Sequence, residues 1–302
     1  MVGPFGLTGS AMPLSALALV LVAAVLHATW NIAAKRASGG AHFVLLSALF
    51  LCVLWAPVGG WFLWTEGGRL GPVEWGVLVA SGFVHLVYFN VLLAGYRAAD
   101  LTVVYPVARG TGPLIASAGA VVVLGEQLSA LGLLGVVGVG VGVFLIAGGP
   151  GLLAAGHDRR LRLRLGIGWG AATGVLIAAY TVLDGYAVKV LAIAPILVDY
   201  VGNLVRVPFM VPSALHDRAG FIRDLRTHWR AALLLAALSP LGYVLVLYAV
   251  KVAPLSHVAP AREVSMLFAA LLGGKLLGEE HRAARLVGAA AIAGGVVALA
   301  WG

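Results

Sequence analysis

The stretch from Leu101 to Glu126, LTVVYPVARGTGPLIASAGAVVVLGE, has a counterpart from Pro254 to Glu279, PLSHVAPAREVSMLFAALLGGKLLGE. In the first, Ala108-Arg109 is followed by Leu124-Gly125-Glu126. In the second, Ala261-Arg262 is followed by Leu277-Gly278-Glu279, at the same Arg-to-Glu spacing. A proline precedes each arginine, Pro106 and Pro260, one position out of step. Tyr96 and Tyr248 precede the two segments, and Lys35 and Lys189 lie near the same offset. One chance match is unremarkable; an ordered set of them marks an internal repeat.

Both copies are embedded in apolar sequence. Of 302 residues, 61% are apolar and 11% are charged, far from the half-apolar, quarter-charged habit of soluble domains. A mean hydropathy of +1.01 excludes a soluble enzyme and a disordered chain, and it leaves a polytopic membrane protein. Ten apolar runs are legible. Five lie at 14–34, 42–64, 73–95, 102–124 and 129–148, and five at 166–188, 194–215, 229–250, 254–277 and 283–301. A helix crosses the bilayer in about 20 residues, so ten crossings use roughly 200 and leave short loops. Helices are expected because each backbone group must find a partner within lipid, and the runs neither alternate nor have the length of barrel strands.

The expected fold is therefore an all-α membrane protein of ten transmembrane helices, built as two five-helix repeats over 14–148 and 166–301, with a basic loop at 149–165. An odd number of helices per repeat turns the second copy upside-down relative to the first. Inverted repeats are a signature of secondary transporters, whose substrate site lies near mid-membrane between the halves. The first run, 14–34, lacks a basic segment before it and is too long for a signal-peptide core, so it reads as a retained helix.

The formal charge of +8 reflects basic loops rather than nucleic-acid binding, for which no motif is present. Loops after odd-numbered runs hold Lys35, Arg36, Arg97, Arg159, Arg160, Arg162, Arg164, Arg218, Arg223, Arg226, Arg230, Arg282 and Arg285. The others hold Arg69, Lys189 and Lys251. The positive-inside rule then puts the odd-numbered loops in the cytoplasm and both termini outside. Cys52 is the single cysteine, which excludes an intrachain disulfide or a thiolate cluster. No metal or cofactor set is expected. The glycines Gly132, Gly135, Gly138, Gly140 and Gly142, with Gly288, Gly294 and Gly295, read as small faces for close helix packing. Trp61, Trp64, Trp75, Trp229 and Trp301 read as interfacial anchors.

Ionisable groups within spans are costly and mark function. They include Arg109, Arg206, Arg262, Asp184, Asp199 and Glu263. Asp199, Asn203 and Arg206 share one helical face, as do His27, Trp30 and Asn31, His85 and Tyr88, and Tyr180 and Asp184. Each has a plainer reading. Asp199 and Arg206 can pair with each other, Asp184 can reach the headgroups, and Arg262 can pair with neighbouring Glu263. His27 can carry a coupling proton or bond a backbone carbonyl. Arg109 and Arg262 recur in the repeat and are expected to line the pathway, as is Tyr105. Pro106, Gly110, Gly112 and Pro113 should bend or open the fourth helix, with Pro254 and Pro260 doing so more weakly in the ninth.

Ten helices in two repeats, with Leu-Gly-Glu ending each fourth helix, resemble the EamA-type drug/metabolite transporter superfamily. His27-Ala28-Thr29-Trp30-Asn31, the Tyr105-to-Pro113 segment and Tyr180-Thr181-Val182-Leu183-Asp184-Gly185 resemble a bacterial branch of it. The resemblance implies a multi-pass inner-membrane permease, often an exporter of small metabolites such as amino acids, with a central cavity and no ATP site. It also implies cytoplasmic termini, against the loop charges. Glu126 and Glu279 match the family's end-of-helix acids and read as structural caps. The expected partners are a small-molecule substrate, a coupling proton and the lipid bilayer. Two other classes compete: a non-transporting accessory subunit, and an intramembrane enzyme using His27 or His85. The second lacks a metal motif or a nucleophile–base pair.

Overall fold

The structure, a computed structural model, describes residues 12–37, 40–99, 101–146, 157–272 and 282–302. Among these no strand occurs. The first half holds α1 (Leu14–Ala37), α2 (Ala41–Leu54), α3 (Ala56–Glu66), α4 (Pro72–Ala98), α5 (Leu101–Leu124) and α6 (Ala130–Ile146). The second holds α7 (His157–Lys189), α8 (Pro195–His216), α9 (Arg218–Val252), α10 (Leu255–Ala261), α11 (Val264–Leu272) and α12 (Arg282–Trp301).

All ten apolar runs are helical where described, with instructive differences. The second run is split into α2 and α3, bent by 60°, because Pro57 has no N–H to carry the ladder across Trp55. Trp55 keeps its own backbone bonds, and its indole adds another, donating to the Ala236 carbonyl of α9 at 3.0 Å. The basic stretch expected as a loop over 149–165 is helical from His157 onward, since Leu and Arg alternate there and both favour helix. Likewise Arg218, Arg223, Arg226 and Arg230 sit on the opening turns of α9 rather than in a loop. That helix is capped by Asp217, which accepts the Gly220 N–H at 2.9 Å. By length and apolarity α1, α4, α5, α7 and α9 are each able to cross a bilayer, and the α2–α3 pair makes a sixth span if counted as one. The rest are shorter, broken or charged.

The fourth and ninth runs reverse the expectation. α5 continues without a break through Pro106 and Pro113, whereas the ninth run breaks at Arg262–Glu263 into α10 and α11. Pro260 cannot donate to the Ser256 carbonyl one turn back. Ser117 of α5 takes that freed acceptor through its hydroxyl at 2.8 Å. The next turn tightens, with Glu263 N–H bonded to the Pro260 carbonyl and Met266 N–H to that of Glu263, the i to i−3 pattern of a 3₁₀ turn.

Packing is two-fold. α4 lies on α7, and its equivalent α9 lies on α1; α2 lies on α9, and its equivalent α8 lies on α4. Where equivalent helices meet, they run antiparallel. Arg109 of α5 bonds Ser265, while Ser117, two turns later, bonds Ser256. Gly135 of α6 faces Gly295 of α12, and Gly142 faces Gly288. Small residues let these backbones touch, as expected of helices in lipid. Trp61, Trp64, Trp229 and Trp301 are exposed, whereas Trp75 packs on the main core.

The Leu-Gly-Glu sequence has a local explanation. Leu124 is buried, and Gly125 turns left-handed at φ 67° to end α5, a conformation that costs a side chain most. Glu126 then folds back. Its carboxylate meets Lys189 Nζ at 2.7 Å and accepts the N–H groups of Leu255 at 2.7 Å and Ser256 at 2.8 Å. It therefore ties the ends of α5 and α7 to the start of α10. The second copy, Leu277-Gly278-Glu279, lies outside the described residues. Burial, the largest single influence, would raise the Glu126 carboxyl. Lys189 and the two backbone donors together outweigh it and hold the pKa below the usual carboxylate range.

A depressed folded pKa stabilises the protein above the unfolded value, about 4.3, and the gain drains away as pH falls through the folded value. Thermal unfolding in detergent should show this acid-side loss. Glu126→Gln should be less stable at neutral pH and should lack that part of the pH slope. An identical slope in the variant would remove Glu126 from the account.

Candidate functional site

The seam between the halves gathers the charged groups. On α5, Arg109 sits one turn beyond Tyr105. Opposite it, the break between α10 and α11 presents Arg262 and Glu263 side by side. Arg109 Nε lies 3.0 Å from Glu263 Oε2, and Arg109 Nη2 donates to Ser265 Oγ at 3.3 Å. The ion pair is close but out of line for a hydrogen bond, so both atoms keep unused bonding capacity. Glu263 thus pairs across the repeats and not with its neighbour. Arg262 instead lies over the ring of Tyr243 on α9, 5.5 Å from its centre, a cation–π contact.

A second cluster adjoins it. Asp184 of α7 is fully buried and does not reach the headgroups. It accepts hydrogen bonds from Ser81 of α4 and Tyr243. His85 Nε2 is 3.9 Å from Asp184 Oδ2. The His85 ring stacks on Tyr180 at 4.0 Å, and Tyr88 meets Tyr180 edge-on at 5.4 Å. Tyr180 and Tyr88 also pack with Ala108, the neighbour of Arg109, so the two clusters are continuous.

The remaining candidates are less central. On α8, Asp199 and Arg206 do not pair directly. Asn203 stands between them, donating to the Asp199 carbonyl at 2.9 Å and accepting from Arg206 Nη2 at 2.6 Å. Cys52 lies within electrostatic reach of both charges. On α1, His27 meets Trp30 edge-on at 4.7 Å and lies within electrostatic reach of Arg109 and Arg262. Asn31 is partly buried on the same helix, and Tyr105 is 36% exposed. Among the described residues no group of three His, Cys, Asp or Glu side chains could hold a metal. Two grooves on the outside of the bundle, one along Ile115 and Tyr186 and one beside Arg164 and Trp169, are separate from the polar seam.

Sequence reasoning missed Ser81, Tyr243 and Ser265. Ser81 was detectable, since it shares a face with His85 and Tyr88. Tyr243 and Ser265 are single polar residues in apolar runs, and only the packing of α9 and α11 reveals their partners.

Two antiparallel helical repeats, rich in apolar sequence and joined by an ion pair at their seam, define a polytopic helical protein of twofold-repeated architecture. The chain belongs to the EamA-like transporter family, whose model matches residues 14–148 and again 164–301. That places it among the membrane transporters of the drug/metabolite superfamily. No curated protein sequence matches it significantly. Its fold is similar to that of a crystal structure described simply as that of a protein. The two chains are 17% identical over 94% of this chain and 96% of the other, with a TM-score of 0.69.

Proposed function

We propose that the chain is a ten-span secondary transporter that moves small polar metabolites, amino acids or organic anions, across the cell (inner) membrane by alternating access, most naturally as an exporter. The observation that carries this reading is the Arg109–Glu263 pair, made by one residue from each repeat and imperfectly aligned. A substrate carboxylate can take the place of Glu263 on Arg109, with Arg262 beside it, while a substrate ammonium takes Glu263. A zwitterion then separates the two halves of the seam and is itself neutralised. The break at Arg262–Glu263 is where the second half can hinge, because its backbone is already irregular. Tyr88, Tyr180 and Trp30 supply aromatic walls, and the Asp199–Asn203–Arg206 relay and His27–Asn31 supply polar ones.

The test is uptake by proteoliposomes of amino acids, organic anions and phosphonates, with and without a pH gradient. A charge-assisted hydrogen bond is worth about 1.5–3 kcal/mol. Arg109→Ala should therefore lower flux of the transported solute by about 10- to 100-fold while the protein remains in the membrane. Wild-type flux in both Arg109→Ala and Arg262→Ala would refute the site, and absence of flux for every solute would favour an accessory role. A reporter at the C-terminus decides between the orientation given by the loop charges, termini outside, and the family habit.

A further inference from the structure

We infer that His85 and Asp184, braced by Ser81 and Tyr243, form a proton-binding site that is linked through Arg262 to the Arg109–Glu263 seam. The link to transport rests on the permease reading above; the proton site does not.

The hydrogen-bond geometry dictates the tautomer. His85 Nδ1 is 2.9 Å from the Ser81 backbone carbonyl. A carbonyl only accepts, so Nδ1 carries the hydrogen. In the neutral ring Nε2 is then a bare lone pair, 3.9 Å from Asp184 Oδ2. Two acceptors lie close together, and the hydroxyl that bonds Oδ2, that of Tyr243, makes no bond to Nε2. One added proton resolves the conflict, either as imidazolium against carboxylate or as a carboxylic acid donating to Nε2. The His85 side chain is 16% exposed and that of Asp184 is 0%, so the imidazole is the more accessible member of the pair.

The surroundings make this a single site. From α4 come His85 and Ser81, from α9 Tyr243, and from α7 itself Tyr180. From α8, Asp199 and Arg206 act on Asp184 at longer range. From α5, Arg109 is held by Glu263 and Ser265. α10 meets this part of α7 through Leu255 against Gly185. The repeat is asymmetric here: at the offset that relates Arg109 to Arg262, Tyr180 and Asp184 correspond to His27 and Asn31 of α1. An amide cannot take up a proton near neutral pH, so the carboxylate exists on one side only.

Coupling follows from Tyr243. Its hydroxyl donates to Asp184, and its ring lies under Arg262. A proton arriving at Oδ2 competes with that hydroxyl, loosens Tyr243 and so frees Arg262 beside Glu263. Proton uptake and substrate exchange then bias the same break in the helix.

The experiment is pH-difference infrared spectroscopy of the protein in liposomes without solute, reading carboxyl and imidazole bands together. In the window where histidine normally titrates, about pH 5 to 8, one group should be present in wild type and lost in Asp184→Asn. Ser81→Ala and Tyr243→Phe keep the carboxyl but each remove a hydrogen bond to its charged form. Each should raise the midpoint by about one pH unit. An Asp184→Asn spectrum that superposes on wild type, or midpoints unmoved in both milder variants, would overturn the site. If wild type titrates but transports nothing, the permease reading fails and the proton site stands. If solute moves and its pH dependence persists unchanged in Asp184→Asn, the coupling is refuted.

Discussion

Removing the Glu263 carboxylate alone should cost the folded protein about 3–5 kcal/mol, because Glu263→Ala leaves the Arg109 guanidinium buried without its counter-charge. Glu263 is buried, and Arg109 has only Ser265 as an additional described partner. Thermal unfolding in detergent should register the loss directly. The companion variant, Arg109→Met with Glu263→Met, removes both charges and fills similar volume. It should recover most of the stability, since replacing a buried pair by apolar residues is often neutral. It should still fail in the uptake assay. The contrast separates two roles: the pair is replaceable as a structural element and irreplaceable as a binding site. A single variant as stable as wild type would mean that water already reaches Arg109. A double variant that transports would remove the seam from the mechanism.

The second large effect is expected at the α6–α12 crossing. A Cβ on Gly142 would lie 2.6 Å from the Gly288 carbonyl oxygen and 2.6 Å from Ile292 Cγ1. One on Gly288 would lie 2.7 Å from the Gly142 carbonyl oxygen. Each glycine is thus the reason the other must be glycine. Backbone carbonyls cannot swing aside as a side chain can, so Gly142→Leu must force the helices apart. Overpacking costs about 1–3 kcal/mol when side chains can adjust, and this crossing should lie at or above the upper end. The readout is the yield of monodisperse protein and its melting temperature. Gly294→Leu is the control, on the partner helix α12 and with nothing within 4 Å of the added Cβ, and it should behave as wild type. Equal damage from both would mean that helix propensity, and not the crossing, is responsible.

Much of this architecture is legible before any coordinates. Apolar run length reports spans because lipid offers no partner for the backbone, and matching Arg and Leu-Gly-Glu positions report a repeat because each copy solves the same packing problem. The glycine faces follow for the same reason. The helix breaks are less legible. Pro106 and Pro113 look more disruptive than Pro260, yet α5 is continuous and the ninth run is not. What decides this is who receives the orphaned carbonyl, and the hydroxyl of Ser117 is far from Ser256 in sequence.

The sequence by itself determined that this chain is an all-helical, twofold-repeated membrane protein of a transporter family, because hydropathy, spacing and motif recurrence are properties of the chain order. Only the tertiary structure decided which charges meet. Glu263 chooses Arg109 over adjacent Arg262, and Asp184 turns inward to Ser81 and Tyr243. Electrostatic and hydrogen-bond partners are set by distance and direction in space, and helices that are remote along the chain supply most of them.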